Sequence, residues 1–214
     1  MLVFFHIPKN GGTSQLSELR KLNGISHIDI LSKRAIATIE EIEFALKVHY
    51  KAKSISGHNL RPDVINKLKN NRDFSKVIIL RNPYKRFVSF YKYKKASNKN
   101  IKLETVYSWC KNAMSRFILS NTNISLSVIN TIQMLKDSEI RVLILENFEK
   151  SLIYIKKNYQ LELPFESRKK LNRSPKDKEY LDLINNKNLY NRFKQDSIID
   201  FALYDYYSNM YNNF

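Results

Sequence analysis

The stretch Leu2-Val3-Phe4-Phe5-His6-Ile7-Pro8-Lys9-Asn10-Gly11-Gly12-Thr13-Ser14 decides how the rest of the chain is read. An apolar run ends in a proline, a lysine and two glycines. Two hydroxyl residues follow, and then Leu16, Leu19 and Leu22 at helical spacing. Strand, glycine turn and helix is the layout of a phosphate cradle. Glycine lets the backbone approach an anion closely, and amides at a helix start point at it. Lys9 adds a mobile positive charge, and Thr13 and Ser14 can cap the helix or donate to phosphate oxygens. The chain holds only four glycines, and two of them stand here, which favours a cradle over a plain capped turn. Residue order separates it from two other cradles. A Walker A loop places its lysine after the last glycine, and a Rossmann fingerprint needs a third glycine.

Composition sets the class. At 214 residues the chain is expected to form one domain over 1–214, with a substantial core. A hydrophobic content of 43% argues against global disorder. The formal charge of +17 attracts polyanions: nucleotides, acidic polysaccharides, nucleic acid or anionic lipid heads. Lys, Asn and Ile are all abundant, so part of that charge is compositional bias on a solvated surface. The single cysteine, Cys110, excludes an internal disulfide and a cysteine-cluster zinc site. His6, His27, His49 and His58 show no metal-ligand spacing, and no metal is expected. The first apolar run is too short for a signal peptide, and no stretch approaches a membrane span. A cytoplasmic protein is expected, with peripheral attraction to the anionic inner face of a membrane as a consequence of charge.

Outward from the opening, the pattern alternates. Ser26–Leu31 reads as a short strand. Thr38-Ile39-Glu40-Glu41 is a capping box opening a helix to about Lys47. Lys53–Ser56 alternates into Gly57-His58, and Pro62-Asp63 starts a helix with Val64, Ile65 and Leu68 on one face. Val77–Leu80 is a continuous apolar run of the kind buried on both faces of a sheet. It ends at Arg81-Asn82-Pro83, where Asn82 suits an N-cap and Pro83 a first helical position. Leu103–Ser120 and Ser125–Lys136 read as helices, Arg141–Leu145 as a buried strand and Phe148–Tyr159 as a helix. Leu163–Ser174 reads as a loop, and Asp196–Tyr211 as a last helix capped by Asp196. Buried strands alternating with helices predict an α/β layered fold with a largely parallel sheet, its ligands beyond the carboxyl ends of the strands.

The second informative segment is Arg81-Asn82-Pro83-Tyr84-Lys85-Arg86-Phe87-Val88-Ser89-Phe90-Tyr91. Taken with the first, it resembles a pair of motifs in sulfotransferases that use 3'-phosphoadenosine-5'-phosphosulfate (PAPS). The stretch from Phe5 to Ser14 is similar to their 5'-phosphosulfate loop. Arg81–Tyr91 is similar to their R-[DN]-P-Y-x-R-F-x-S-x-Y motif for the 3'-phosphate. The branch it resembles is the Golgi-type and bacterial carbohydrate sulfotransferases, including uronyl 2-O-sulfotransferases. Ser56-Gly57-His58, Leu145-Glu146-Asn147-Phe148, Leu171-Asn172-Arg173-Ser174 and Asp200-Phe201-Ala202-Leu203-Tyr204 resemble further elements of that branch. Asn10 departs from it, standing where threonine is usual.

The resemblance implies a fold related to nucleotide kinases, a P-loop-kinase-like three-layer arrangement with a mostly parallel central sheet flanked by helices. It also implies residue roles. Lys9 would contact the oxygen bridging phosphate and sulfate. Asn10, Gly11, Gly12, Thr13 and Ser14 would hold the 5'-phosphate, and Arg81 and Ser89 the 3'-phosphate. Asn172 and Arg173 would close over the nucleotide, and His58 would be the general base. The expected activity is sulfuryl transfer from PAPS to a carbohydrate hydroxyl. The basic surface favours an anionic or extended acceptor such as a surface or capsular polysaccharide or a glycolipid. Tyr91, Tyr93, Tyr107 and Trp109 are candidates for a sugar cleft, although such residues commonly form core. Two rivals stay open at this point: a nucleotide-type kinase, against which the absent G-K-[ST] speaks, and a basic nucleic-acid-binding protein, for which no recognition motif is present. A sulfotransferase fold that only binds is a third.

Overall fold

The computed structural model describes residues 1–68, 73–120, 122–161, 163–165 and 177–214. The chain runs β1 (Leu2–Phe5), α1 (Gly12–Asn23), β2 (His27–Asp29), α2 (Ile39–Val48), β3 (Ser54–Gly57), α3 (Pro62–Asn66) and β4 (Ser75–Leu80). It continues through α4 (Pro83–Ser97), α5 (Leu103–Cys110), α6 (Ala113–Ile118), α7 (Val128–Asp137), β5 (Ile140–Ile144) and α8 (Phe148–Tyr159). Three helices close it: α9 (Lys178–Asn185), α10 (Lys187–Asp196) and α11 (Ile198–Asn212).

The strands form one sheet in the order β2-β3-β1-β4-β5, and every neighbouring pair is parallel. Leu2–Phe5 of β1 lie opposite Ser54–Gly57 on one side and Ser75–Ile78 on the other. Side chains alternate across the pleat. Val3, Phe5, Ile78 and Leu80 enter a core roofed by α2, α6, α7 and α11. Leu2, Phe4, Val77 and Ile79 enter a second core under Leu19 of α1 and Phe148 and Ile155 of α8. Burial on both faces is what the apolar runs at β1 and β4 require, and it makes the fold three layers deep. A third cluster lies outside the sheet, where Tyr84, Phe87 and Tyr91 of α4 pack against Tyr107 and Phe193.

The capping box at Thr38 forms, with Thr38 Oγ1 accepting from Glu41 N–H at 3.2 Å and Glu41 accepting from Thr38 N–H at 2.9 Å. Two helix expectations are corrected. Leu103–Ser120 is broken into α5 and α6 at Asn112, whose backbone is left-handed at φ 46°. Its side chain accepts from Ile199 and Asp200 N–H, both at 3.1 Å, and so caps α11. Asp200 returns the contact, accepting from Met114 and Ser115 N–H at 2.9 and 2.8 Å at the start of α6. This reciprocal capping also starts the last helix at Ile198. Asp196, expected to cap it, instead ends α10, accepting from Tyr107 Oη at 3.0 Å and pairing with Lys111.

Strand order decides where a site can form. From β1 the chain places β2 and β3 on one side, then returns to place β4 and β5 on the other. The loops leaving β1 and β4 therefore flank the reversal point at the carboxyl edge, the position where parallel α/β sheets hold ligands.

Candidate active site at the carboxyl edge of the sheet

The loop after β1 is shaped by close approach. Lys9 has φ 69° and Gly11 φ 82°, both left-handed. A Cβ on Gly11 would fall 2.4 Å from Leu145 Cδ1, and one on Gly12 would fall 2.2 Å from His6 Cδ2. Only hydrogen fits at either position. Gly11 occupies the N-cap of α1 and has no side chain to cap it with, and the first turn carries no acid. Thr13 and Ser14 follow inside the first turn and leave the capping position to Gly11. Positive potential at this helix start is thus not neutralised by the first turn itself.

Two arginines from α4 and its lead-in hold the loop's oxygens. Arg81 donates to the Lys9 carbonyl at 2.9 Å, and Arg86 Nε donates to the Pro8 carbonyl at 3.1 Å. A trans peptide turns its N–H opposite its carbonyl, so the Lys9 amide faces away from Arg86. Lys9 Nζ sits 4.8 Å from the Tyr93 ring centroid. Burial holds the Lys9 ammonium below the usual lysine range, and the Arg81 guanidinium lowers it further. Two cations are therefore held near each other in the loop that leads to α1.

Ser89 is buried. Arg86 and Tyr93 both reach the β1 loop, and Ser89 lies between them on the same helical stripe. The start of α4 is closed internally. Asn82 Oδ1 accepts from Lys85 N–H at 3.1 Å, Pro83 takes the first helical position, and Glu146 accepts from Asn82 N–H at 3.3 and 3.2 Å.

His58 follows β3 and is linked to the loop through His6. The two rings stack at 3.9 Å between centroids, and His58 Nδ1 lies 2.8 Å from the His6 carbonyl oxygen. A carbonyl only accepts, so Nδ1 carries the proton and Nε2 the lone pair of the neutral ring. His6 is buried, and its pKa is pushed down to about 3, first by burial and then by His58. It is a neutral spacer, with its ring edge against Gly12 and its face against His58. Arg61 braces the same turn, donating to the His58 carbonyl at 2.6 Å and lying 3.9 Å from the Phe117 ring centroid.

The fold thus gathers Lys9, Gly11, Gly12, Thr13, Ser14, Arg81, Ser89 and His58 around one edge. Asn10 is a correction. Its side chain is buried and donates to the Ile79 carbonyl at 2.7 Å and to Met114 Sδ at 3.3 Å, and its N–H donates to the Ile7 carbonyl at 3.3 Å. It pins the loop to the sheet and offers an anion nothing. Asn172 and Arg173 lie outside the described residues, as does most of the expected loop Leu163–Ser174. Arg86, Glu146, His6 and Arg61 had no functional role in the sequence reading. Arg86 stands inside the second motif, which was its signal. Glu146 stands inside the Leu145–Phe148 element, but its contact to Asn82, 64 residues away, had no sequence signal. Of the four aromatic candidates, Tyr91 and Tyr107 are core, whereas Tyr93 and Trp109 are exposed. Among the described residues, no group of three His, Cys, Asp or Glu could hold a metal ion, and no helix is long and apolar enough to cross a membrane.

A parallel three-layer α/β sheet with a glycine cradle and convergent cations at its switch point defines a protein of the P-loop-like class that handles phosphate- or sulfate-bearing groups. Residues 1–139 match the sequence profile of the sulfotransferase family, and the chain belongs to that family. Membership carries the general activity of sulfuryl transfer, and the fold agrees with it. No curated protein matches the chain.

Proposed function

We propose that this chain is a single-domain enzyme that moves the sulfuryl group of PAPS to a hydroxyl of a carbohydrate acceptor. The observation that carries the reading is that Lys9 and Arg81 are held close enough to repel each other, in the loop leading to a helix that starts on a left-handed glycine. Like charges held together favour an anion between them. Gly11 and Gly12 let the loop pack against Leu145 and His6 at the helix start, which supports a tight turn whose amides could face a nucleotide phosphate. Backbone amides of Gly11 and Gly12 with the hydroxyls of Thr13 and Ser14 would hold the 5'-phosphate. Arg81 and Ser89 would hold the 3'-phosphate.

In the reaction, the acceptor oxygen forms a bond to sulfur as the bond from sulfur to the bridging oxygen breaks. His58 Nε2 takes the acceptor proton, and 3'-phosphoadenosine 5'-phosphate (PAP) leaves. Lys9 offsets the negative charge that grows on the bridging oxygen. Its depressed affinity for a proton comes from burial and from Arg81, and the charge of an incoming anion would oppose both. His58 is held in the tautomer a base needs by the His6 carbonyl. The same surface charge supports an acceptor of acidic character.

Calorimetric titration with PAP beside ADP and AMP tests the donor site. Tight binding of PAP alone is expected, and equal binding of all three would sink it. His58→Ala should lower turnover by about 10²–10⁴-fold with PAP affinity retained, checked by product formation under saturating donor.

A further inference from the structure

We propose that an aromatic strip running from Lys9 along α4 to α5 is the platform on which an acidic acceptor saccharide lies. This rests on the sulfuryl-transfer reading above and assigns that reaction its acceptor site. The strip is continuous. Lys9 Nζ covers the Tyr93 ring, and Tyr93 stacks beside Phe90 with centroids 6.5 Å apart and planes 23° apart. Lys94 Nζ then sits between Phe90 and Trp109, 5.4 and 5.9 Å from their centroids. Arg116 donates to the Trp109 carbonyl at 2.7 Å, so a further cation stands at the far end.

Exposure along the strip is selective. Tyr93 is 56% and Trp109 48% exposed, while Tyr91 and Tyr107 on the same two helices are 7% and 3% exposed. Rings and cations that continue one another outward from Lys9 offer an extended binding surface. The lysines of α4 divide the same way. Lys92 and Lys95 are neutralised by Asp177 and Glu179. No carboxylate among the described residues pairs with Lys94 or Arg116. Cations also lie over exposed rings elsewhere, as Lys51 over Tyr50 and Lys157 over Phe214; this strip differs in running without a break from Lys9 to Trp109.

The chemistry of the strip names the ligand. A pyranose presents a C–H face that packs on an aromatic ring, and its carboxylate or sulfate substituents pair with ammonium and guanidinium groups. A chain of such sugars could cover Trp109, Lys94, Phe90 and Tyr93 in succession and deliver one hydroxyl beside Lys9. A neutral sugar would leave the cations unanswered. Single-stranded nucleic acid also stacks on such surfaces, so it is an arm of the test.

Trp109 is the only tryptophan of the chain, so its fluorescence reports on the platform directly. The full chain, with PAP binding first measured by calorimetry and then saturated, is titrated with four probes of matched length. Two are acidic oligosaccharides, one alternating glucuronic acid with N-acetylglucosamine and one of galacturonic acid. The others are dextran and single-stranded RNA. A saturable change in Trp109 emission is expected with at least one acidic oligosaccharide, and a far weaker one with dextran. Lys94→Ala should raise its midpoint about tenfold and flatten its salt dependence, with PAP affinity unchanged. Absence of PAP binding would overturn the sulfuryl-transfer reading and the platform with it. PAP binding with no response to either acidic oligosaccharide, or tighter binding of RNA, or an unchanged midpoint in Lys94→Ala, would overturn the platform alone.

Discussion

The strand-to-helix junctions after β1 and β4 lie side by side at one edge of the sheet, and they are finished in opposite ways. After β4, Asn82 caps α4, Pro83 removes one orphan donor, and Glu146 accepts from the Asn82 amide. The helix start is satisfied by the protein. After β1, Gly11 takes the cap position in a left-handed conformation and has no side chain with which to close α1. The oxygens of that loop are held by Arg81 and Arg86 from the closed junction. One junction is therefore closed by its own side chains and lends two arginines, while the other starts on a glycine that has no side chain to offer. An open helix start is informative only beside a neighbour that has been closed.

Four variants test that contrast, from the largest expected effect downward. Lys9→Ala removes the charge at the open junction. Turnover should fall by about 10²–10³-fold with PAP affinity changed far less, measured as single-turnover sulfuryl transfer. Unchanged turnover would break the assignment. Gly12→Ala forces a methyl group into His6 and should cost about 1–3 kcal/mol in chemical denaturation, with PAP binding weakened as the loop shifts.

The third concerns pH. In the unfolded chain His6 returns to its ordinary value of 6.5, against about 3 when folded. Between those values the unfolded state binds the extra proton. Stability should therefore be full above pH 6.5 and fall as pH drops toward 3, by up to about 1.4 kcal/mol per pH unit. His6→Phe should flatten that slope in denaturation curves recorded across the window. The smallest effect is at the closed junction. Asn82→Ala should cost about 1 kcal/mol through the lost cap, with PAP affinity reduced less than by Gly12→Ala. A larger loss of affinity than of stability would mean that the β4 junction also meets the ligand directly.

Much of this was legible in the chain. Local chemistry acts within a few residues, so the capping box at Thr38, the Asn82-Pro83 start and the buried strand Val77–Leu80 could all be read. The break at Asn112 could not, because its cause is a pair of caps exchanged with Asp200 across 88 residues. For the same reason Asp196 looked like a cap and is a partner of Tyr107 and Lys111. Asn10 looked like part of the cradle because it stands in the loop, and only packing shows its amide turned to Ile79 and Met114.

The sequence by itself determined the cradle and the basic motif at Arg81–Tyr91, since glycine freedom, lysine charge and helix starts are properties of adjacent residues. It also determined the layered class through the period and length of its apolar runs. Tertiary structure alone decided which loop oxygens the arginines hold and which tautomer His58 keeps. Packing likewise decided that Tyr93 and Trp109 face outward while Tyr91 and Tyr107 do not. Those outcomes depend on contacts between residues far apart in the chain, and no local pattern encodes the direction a side chain takes when a distant element packs against it.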